Sequence, residues 1–320
     1  MKILLVGSVN RFNAEHFYTK YLRRLGHEVF VLDQYEGISR KFLFRLLVTR
    51  TKVMRILVDS QKINKSLPSA VRKIDPDLIL VFKGEVISDT VLKTLSQSHR
   101  LALVYPDTYR FPAILRGRLQ YFDVVFTAAN KHEFYYKLGA KKVVTLPWAC
   151  DPELHRRLQE VTKIYPISFI GTFYLERYLL LKQLREFKEK IHIFGNHWVI
   201  KPAQVFPAVY GEEYVRVINQ SVINLNIHHP KDVEADAPNM RVFEITGCGG
   251  LLFTEEMPSI NKYFSTNEVV SFSDVIELKE KVKYYLENNS EMEEIRERAI
   301  LRSYKEHSYL VRAKNLVENI

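Results

Sequence analysis

Two consecutive series of short apolar runs, separated by amphipathic stretches, constrain this chain more than any other feature. In the first half the runs occupy residues 2–6, 28–33, 78–82, 101–105, 124–127 and 143–146. They are rich in Val, Ile, Leu and Phe and do not strictly alternate polar with apolar residues, which marks strands covered on both faces of a parallel sheet. Between the first two, HFYTKYLRRLG places its apolar positions at helical spacing and closes on Gly26, a residue suited to the turn that ends a helix. Strand, helix, strand units repeated in this way predict a doubly wound parallel sheet, whose ligands collect outside the carboxyl ends of the strands.

A second series begins beyond Asp151 and Pro152. Strands are expected at residues 167–170, 191–194, 222–227, 250–254 and 269–271, and helices near 177–188, 212–220 and 239–247. The tail from Val275 reads as helices broken at Asn288, Asn289 and Ser290. The pattern predicts an α/β chain of two Rossmann-like domains, residues 1–155 and 156–300, with the boundary inside the polar, Pro-containing stretch 149–166 and a terminal helical segment at 301–320.

Composition removes several classes. At 26% charged and 47% hydrophobic residues the chain is neither disordered nor a membrane bundle. Two cysteines, Cys150 and Cys248, build no disulfide framework, and no Cys/His cluster has zinc spacing, so a reducing, cytoplasmic setting is expected. The first apolar run is too short for a signal-peptide core, and none reaches the roughly 18 residues that span a bilayer.

Charge is unevenly placed. Residues 1–150 carry 25 Lys and Arg against 12 Asp and Glu, whereas 151–320 carry 22 against 25, so the whole excess of +10 lies in the first half. Ten of those basic residues fall within 40–73 beside a single acid, Asp59, interleaved with Phe42, Phe44 and Leu46. Two readings stand open: a helix whose apolar face packs on the sheet, or a basic amphipathic segment lying on an anionic membrane. No DNA- or RNA-binding module is present, so nucleic acid is not an expected partner.

The strongest local signal is PNMRVFEITGCGGLLFTEE, residues 238–256, in which a polar loop runs into a short helix, a glycine pair and an apolar strand. A helix N-terminus there offers unpaired N–H groups to phosphate, while Gly249 and Gly250 by themselves are as readily the turn that ends the helix. FEITGCGGLLFTEE resembles the EAMACG-x-PVV element of the group 1, family 4-like GT-B glycosyltransferases, and most closely the FEI-x-x-CGG-x-LLT pattern of their CgeB-type branch. The family's two acids, eight positions apart, fall on Asp236 and Glu244, the first an Asp where the family has Glu. FIGTFYLERYLLLKQL resembles the element that opens the donor domain, with Arg177 in the lysine slot of a basic pair and Thr172 in the arginine slot. IHIFGNHW resembles the strand and turn near the nucleotide base, HSYLVRAKNL the terminal helix, which in the family crosses back onto the first domain, and residues 122–155 the last acceptor-domain strands and linker.

The resemblance implies a GT-B fold, two Rossmann-like domains facing a cleft, and retaining, metal-independent transfer of a sugar from a nucleotide-diphospho-sugar to a glycan or lipid-linked acceptor. It places donor binding at Gly171, Thr172, Arg177, Gly195, Asn239, Met240, Arg241, Glu244 and Gly249, with no cofactor beyond the co-substrate. A departing diphosphate needs cations and N–H dipoles on its developing charge, and no DxD-like pair stands at a strand end to supply a metal.

Acceptor-side candidates lie at the carboxyl ends of first-half strands: Gly7, Lys83, Glu85 and Asp107, with His16 and Arg110 beside them. Asp107 follows the strand LALVY directly and is the expected partner of an acceptor hydroxyl proton, or else a turn residue beside Pro106. With Glu244 it makes the catalytic pair expected from sequence. Arg110, Arg116 and Arg118 either hold an anionic acceptor or serve solubility. The basic segment 40–73 would seat such an enzyme at the inner face of the cell membrane, in cell-envelope glycan synthesis. An epimerase or hydrolase on the same fold, and a binding or coat-like protein without turnover, are the other functions this sequence accommodates.

Overall fold

The computed structural model describes residues 1–36, 62–108, 115–288 and 290–320, with the chain divided into two compact units. One comprises Met1–Pro147 together with Arg312–Ile320, the other Trp148–Val311. No helix among the described residues is long and apolar enough to cross a membrane.

In the first unit the described chain forms β1 (Lys2–Gly7), α1 (Ala14–Arg24), β2 (Glu28–Asp33), α2 (Lys62–Ile74), β3 (Leu78–Phe82), α3 (Asp89–Leu95), β4 (Leu101–Tyr105), β5 (Val124–Thr127), α4 (Glu133–Lys137) and β6 (Val143–Thr145). The strands pair in the order β2-β1-β3-β4-β5-β6, each pair parallel. β3 and β4 are buried along their whole length, which is why they read as continuous apolar runs. Gly26 ends α1 at φ +84°, the left-handed conformation expected of it. Because β1 lies between β2 and β3, the chain reverses its direction of travel across the sheet there, opening a crevice outside the carboxyl ends of β1 and β3.

α2 carries the described part of the basic segment. Its Ile63, Leu67 and Val71, spaced by four, are at most 2% exposed, so this face packs into the core. Residues 40–61 of the segment lie outside the described residues.

The second unit contains β7 (Tyr165–Ile170), α5 (Leu175–Gln183), β8 (Ile191–Phe194), β9 (Gln204–Phe206), α6 (Glu212–Asn219), β10 (Ser221–Asn226), α7 (Pro230–Glu234), α8 (Met240–Gly247), β11 (Leu252–Glu255), α9 (Ile260–Tyr263), β12 (Val270–Phe272), α10 (Val275–Glu287) and α11 (Ser290–Glu306). The last helix, α12 (Tyr309–Glu318), starts in this unit and from Arg312 belongs to the first. There Arg312 Nε donates to the Pro147 carbonyl at 3.0 Å and Lys142 Nζ to that of Asn319 at 2.6 Å. The sheet order is β12-β11-β10-β7-β8-β9, again all parallel. Here the reversal falls between β7 and β10, so the crevice lies outside their carboxyl ends. β9 was not expected from sequence: three half-exposed edge residues carry too little apolar signal.

Candidate functional site

In the second unit the loops after β7 and β10 meet. Arg177, in the first turn of α5, is 5% exposed; its Nε donates to the Ile227 carbonyl at 3.1 Å and one terminal nitrogen to that of Thr172 at 2.9 Å. Its guanidinium lies over the rings of Tyr174 and Phe169. The side chain therefore ties together the two strand ends that flank the crevice. Tyr174 also meets the ring of His229 edge-on at 5.0 Å, and His229 caps α7 by accepting from Lys231 N–H. Beside them Gly171 and Gly195 are forced: a Cβ on Gly195 would stand 1.9 Å from the Gly171 carbonyl oxygen, and one on Gly171 would stand 2.9 Å from the Phe169 ring.

The N-terminus of α8 is fixed by a buried polar chain. Asn239 caps the helix, its Oδ1 accepting from Arg241 N–H at 3.0 Å, while its Nδ2 donates to Asn226 Oδ1 at 2.9 Å. Asn226 Nδ2 in turn donates to Thr254 Oγ1 at 3.1 Å, so the helix start is fastened to the ends of β10 and β11. His228 completes the cluster: its backbone N–H donates to Glu255 Oε2 at 2.5 Å, and its Nδ1 lies 3.3 Å from the same oxygen. Arg241, at the second position of the helix, keeps its Nε buried without a partner. The helix dipole and this guanidinium together favour an anion.

Glu244 lies one turn further along α8. It accepts from Tyr214 Oη at 2.9 Å and faces His155 Nε2 at 3.9 Å. Because His155 Nδ1 accepts the Asp151 N–H, its ring proton sits on Nε2, toward Glu244. Burial, and then the Glu244 charge, push the Tyr214 hydroxyl and the Cys248 thiol well above their ordinary ranges, so both stay protonated donors. Asp236 is buried at φ +50° and accepts from Ser259 N–H at 3.0 Å, a conformation that suits Asp better than Glu. Gly249, at φ +69°, follows α8 at its far end, separated from Asn239 by the helix's eight residues, a rise of about 12 Å. The structure thus gathers Gly171, Thr172, Arg177, Gly195, Asn239, Met240 and Arg241 around one end of the sheet and leaves Gly249 at the other.

In the first unit Gly7, Lys83, Glu85 and Asp107 gather at the carboxyl ends of β1, β3 and β4. Lys83 Nζ is 2.6 Å from Asp107 Oδ2, and Tyr35 Oη donates to Glu85 Oε1 at 2.8 Å. Burial works to lower the Lys83 pKa, but Asp107, Glu85 and Glu15 outweigh it and the ammonium is held above its ordinary value. Glu15, which the sequence reading passed over, is 7% exposed and accepts from Ser8 N–H at 3.1 Å. A Cβ on Gly7 would stand 2.7 Å from its Cγ, so Gly7 is what admits it. Burial raises the Glu15 pKa. His16 stands exposed on the outer face of α1. Arg118 pairs with Asp89 at 2.6 Å and donates to the Gly84 carbonyl, and Arg110 lies outside the described residues. Among the described residues no group of three or more His, Cys, Asp or Glu is placed to hold a metal ion.

The two six-stranded parallel sheets match solved structures over the whole chain. The fold is that of the GT-B glycosyltransferases. A Rickettsia africae glycosyltransferase is 12% identical with a TM-score of 0.67, over 99% of this chain and 97% of its own. Anabaena Alr3699/HepE in complex with UDP-glucose is 10% identical with a TM-score of 0.69, over 100% and 99%. A putative UDP-N-acetylglucosamine 2-epimerase of Listeria monocytogenes is 10% identical with a TM-score of 0.57, over 99% and 94%. Residues 177–318 of this GT-B chain match the model of a glycosyl transferase-like family. No curated protein matches it by sequence.

Proposed function

We propose that the protein is a glycosyltransferase moving a sugar from a nucleotide-diphospho-sugar to an acceptor hydroxyl, with retention and without a metal. The observation that carries this is the start of α8: a preset anion site whose cap is pinned to β10 and β11 and whose Arg241 Nε is buried without a partner. A leaving diphosphate gains negative charge as the glycosidic bond breaks, and fixed dipoles with a guanidinium stabilise that charge without reorganising. Arg177 holds the crevice together from behind, so Arg241 supplies the cation. Glu244 accepts from a ribose hydroxyl, with Tyr214 and His155 orienting its carboxylate. On the acceptor side Asp107, paired with Lys83, receives the hydroxyl. The family match over 177–318 and the UDP-glucose complex of the Anabaena neighbour support a sugar nucleotide as donor.

The acceptor class proposed is a glycan or lipid-linked sugar of the cell envelope, reached from the inner face of the membrane through the basic segment 40–73. Since α2 buries its apolar face, that contact is electrostatic in its described part. Sedimentation with anionic and neutral liposomes tests it; equal binding to both removes it. The transfer itself is tested by NMR of the product formed with and without EDTA. Inversion at the anomeric carbon overturns retention, and loss of turnover with EDTA overturns metal independence. The likeness to the Listeria protein keeps an epimerase as the second reading, and an altered nucleotide-sugar formed without acceptor would select it.

A further inference from the structure

The amino ends of β7 and β10, which pair in register from Tyr165 and Ser221, carry a charge cluster at the opposite end of the sheet from the start of α8. Lys163, two residues before β7, is an exposed residue whose Nζ donates to the carbonyl of the buried Asn219 at 2.6 Å. The connector is fastened there a second time by Leu158 N–H, which donates to Asn219 Oδ1 at 2.9 Å. The amine is therefore held in place at a surface that small molecules reach. Arg296, on α11, is 7% exposed and donates from one terminal nitrogen to the Val222 carbonyl at 2.7 Å, while its Nε is buried without a partner. Arg157 pairs with Glu293 and Glu297, and Glu293 also lies 3.5 Å from Arg296. The charges of Arg296, Glu293 and Arg157 all bear on Lys163.

Three cations thus share Glu293, and the lysine is the one that can give up its charge. Withdrawal from water does most to destabilise its ammonium, and the two guanidiniums add to this against Glu293, so its pKa falls to about 8. About a tenth of the amine is then uncharged at pH 7, against about one part in 2,500 for an ordinary lysine. An uncharged primary amine is a nucleophile, and these surroundings suit a reagent that replaces its positive charge with a negative one. Carbon dioxide does so: the nitrogen lone pair forms an N–C bond, one C=O π pair moves onto oxygen and the amine proton leaves to water, with no change of oxidation state. The carbamate keeps an N–H for the Asn219 carbonyl. Its oxygens place negative charge beside both guanidiniums and offer the acceptor that Arg296 Nε lacks. We propose that Lys163 is a carbon dioxide-binding site, its amine forming a carbamate held by Arg157, Arg296 and the Asn219 carbonyl. The site is remote from the start of α8 and holds whether or not the glycosyltransferase reading does.

The test equilibrates the full chain with carbon-13-labelled bicarbonate at about pH 8 and reads carbamate carbon by NMR. In parallel the carbamate is trapped with a trialkyloxonium alkylating agent and mapped by mass spectrometry. Lys163 is expected to carry it at an occupancy about tenfold or more above that of any ordinary lysine, the gain in uncharged amine being larger still. The chain's α-amino group forms a carbamate too, so the Lys163 signal is the one lost in Lys163→Arg, which keeps the positive charge. Arg157→Gln removes a repelling cation from the amine and a partner from the carbamate, and should lower occupancy severalfold while circular dichroism shows the fold intact. Absence of a trapped carbamate on Lys163 overturns the proposal, and so does an occupancy that Arg157→Gln leaves unchanged.

Discussion

Replacing Arg177 separates two roles that the same side chain could play. A ligand of pyrophosphate, the role its place in the family pattern implies, would be lost at no cost to the nucleotide-free protein. The geometry makes it a tie instead: 5% exposed, bonded to the carbonyls of Thr172 and Ile227, and lying over Tyr174 and Phe169. Arg177→Ala strips two buried carbonyls of charged donors, at about 1–3 kcal/mol each, and removes two cation–π contacts that together contribute about 1 kcal/mol. A loss of about 4 kcal/mol is therefore expected, which in a unit of this size lowers Tm by roughly 8–16 °C. Arg177→Lys, reaching one carbonyl and not both, should lose about half as much. Differential scanning calorimetry without nucleotide measures both. A Tm for Arg177→Ala within about 2 °C of the parent would refute the tie and return the residue to a ligand's role.

Other consequences follow from the same contacts. Gly195→Ala places a Cβ 1.9 Å from the Gly171 oxygen and should cost about 3 kcal/mol and abolish nucleotide-dependent stabilisation, read by thermal shift. Asp236→Asn should be tolerated within about 0.5 kcal/mol, since the amide oxygen still accepts from Ser259 N–H, while Asp236→Glu should cost about 1–2 kcal/mol at this φ in denaturant unfolding. Glu15 has a pKa raised by burial, so its contribution to stability is full below the unfolded carboxyl pKa and is lost as pH rises through the folded value. Glu15→Gln should accordingly be more stable than the parent at pH 8, with the difference closing below about pH 4 in urea unfolding; a difference that grows on acidification contradicts this.

Much of the fold was legible because central strands such as β3, β4 and β5 are buried on both faces and so read as continuous apolar runs. β2, β3, β4, β5 and β8 run over the residues their apolar runs predict. Two short elements were not: β9 is three edge residues of which none is buried, and α7, five residues opening on Pro230, is too short to show a helical period. The start of α8 was legible, since a polar loop ending on Asn239 runs into a short helix as the sequence predicts, with Asn239 as its cap. What spacing does not show is how a side chain is spent, and only the contacts reveal Arg177 turned onto carbonyls while Arg241 Nε has no partner. Glu15 did carry a signal. It shares the buried face of α1 with Tyr18 and Leu22, three and seven positions on, and a carboxylate in an apolar stripe marks a site or a structural bond.

The proposed role of the second unit as a nucleotide-sugar site is tested most directly by calorimetric titration of the full chain with UDP, GDP, dTDP and CDP and their sugars, with EDTA present. Selective binding of one base is expected, with a stabilisation of about 2.7 kcal/mol at 100 times Kd, unaffected by EDTA and lost in Arg241→Ala and Glu244→Ala. Failure of every nucleotide to bind the folded protein, or binding that survives both substitutions, would contradict it.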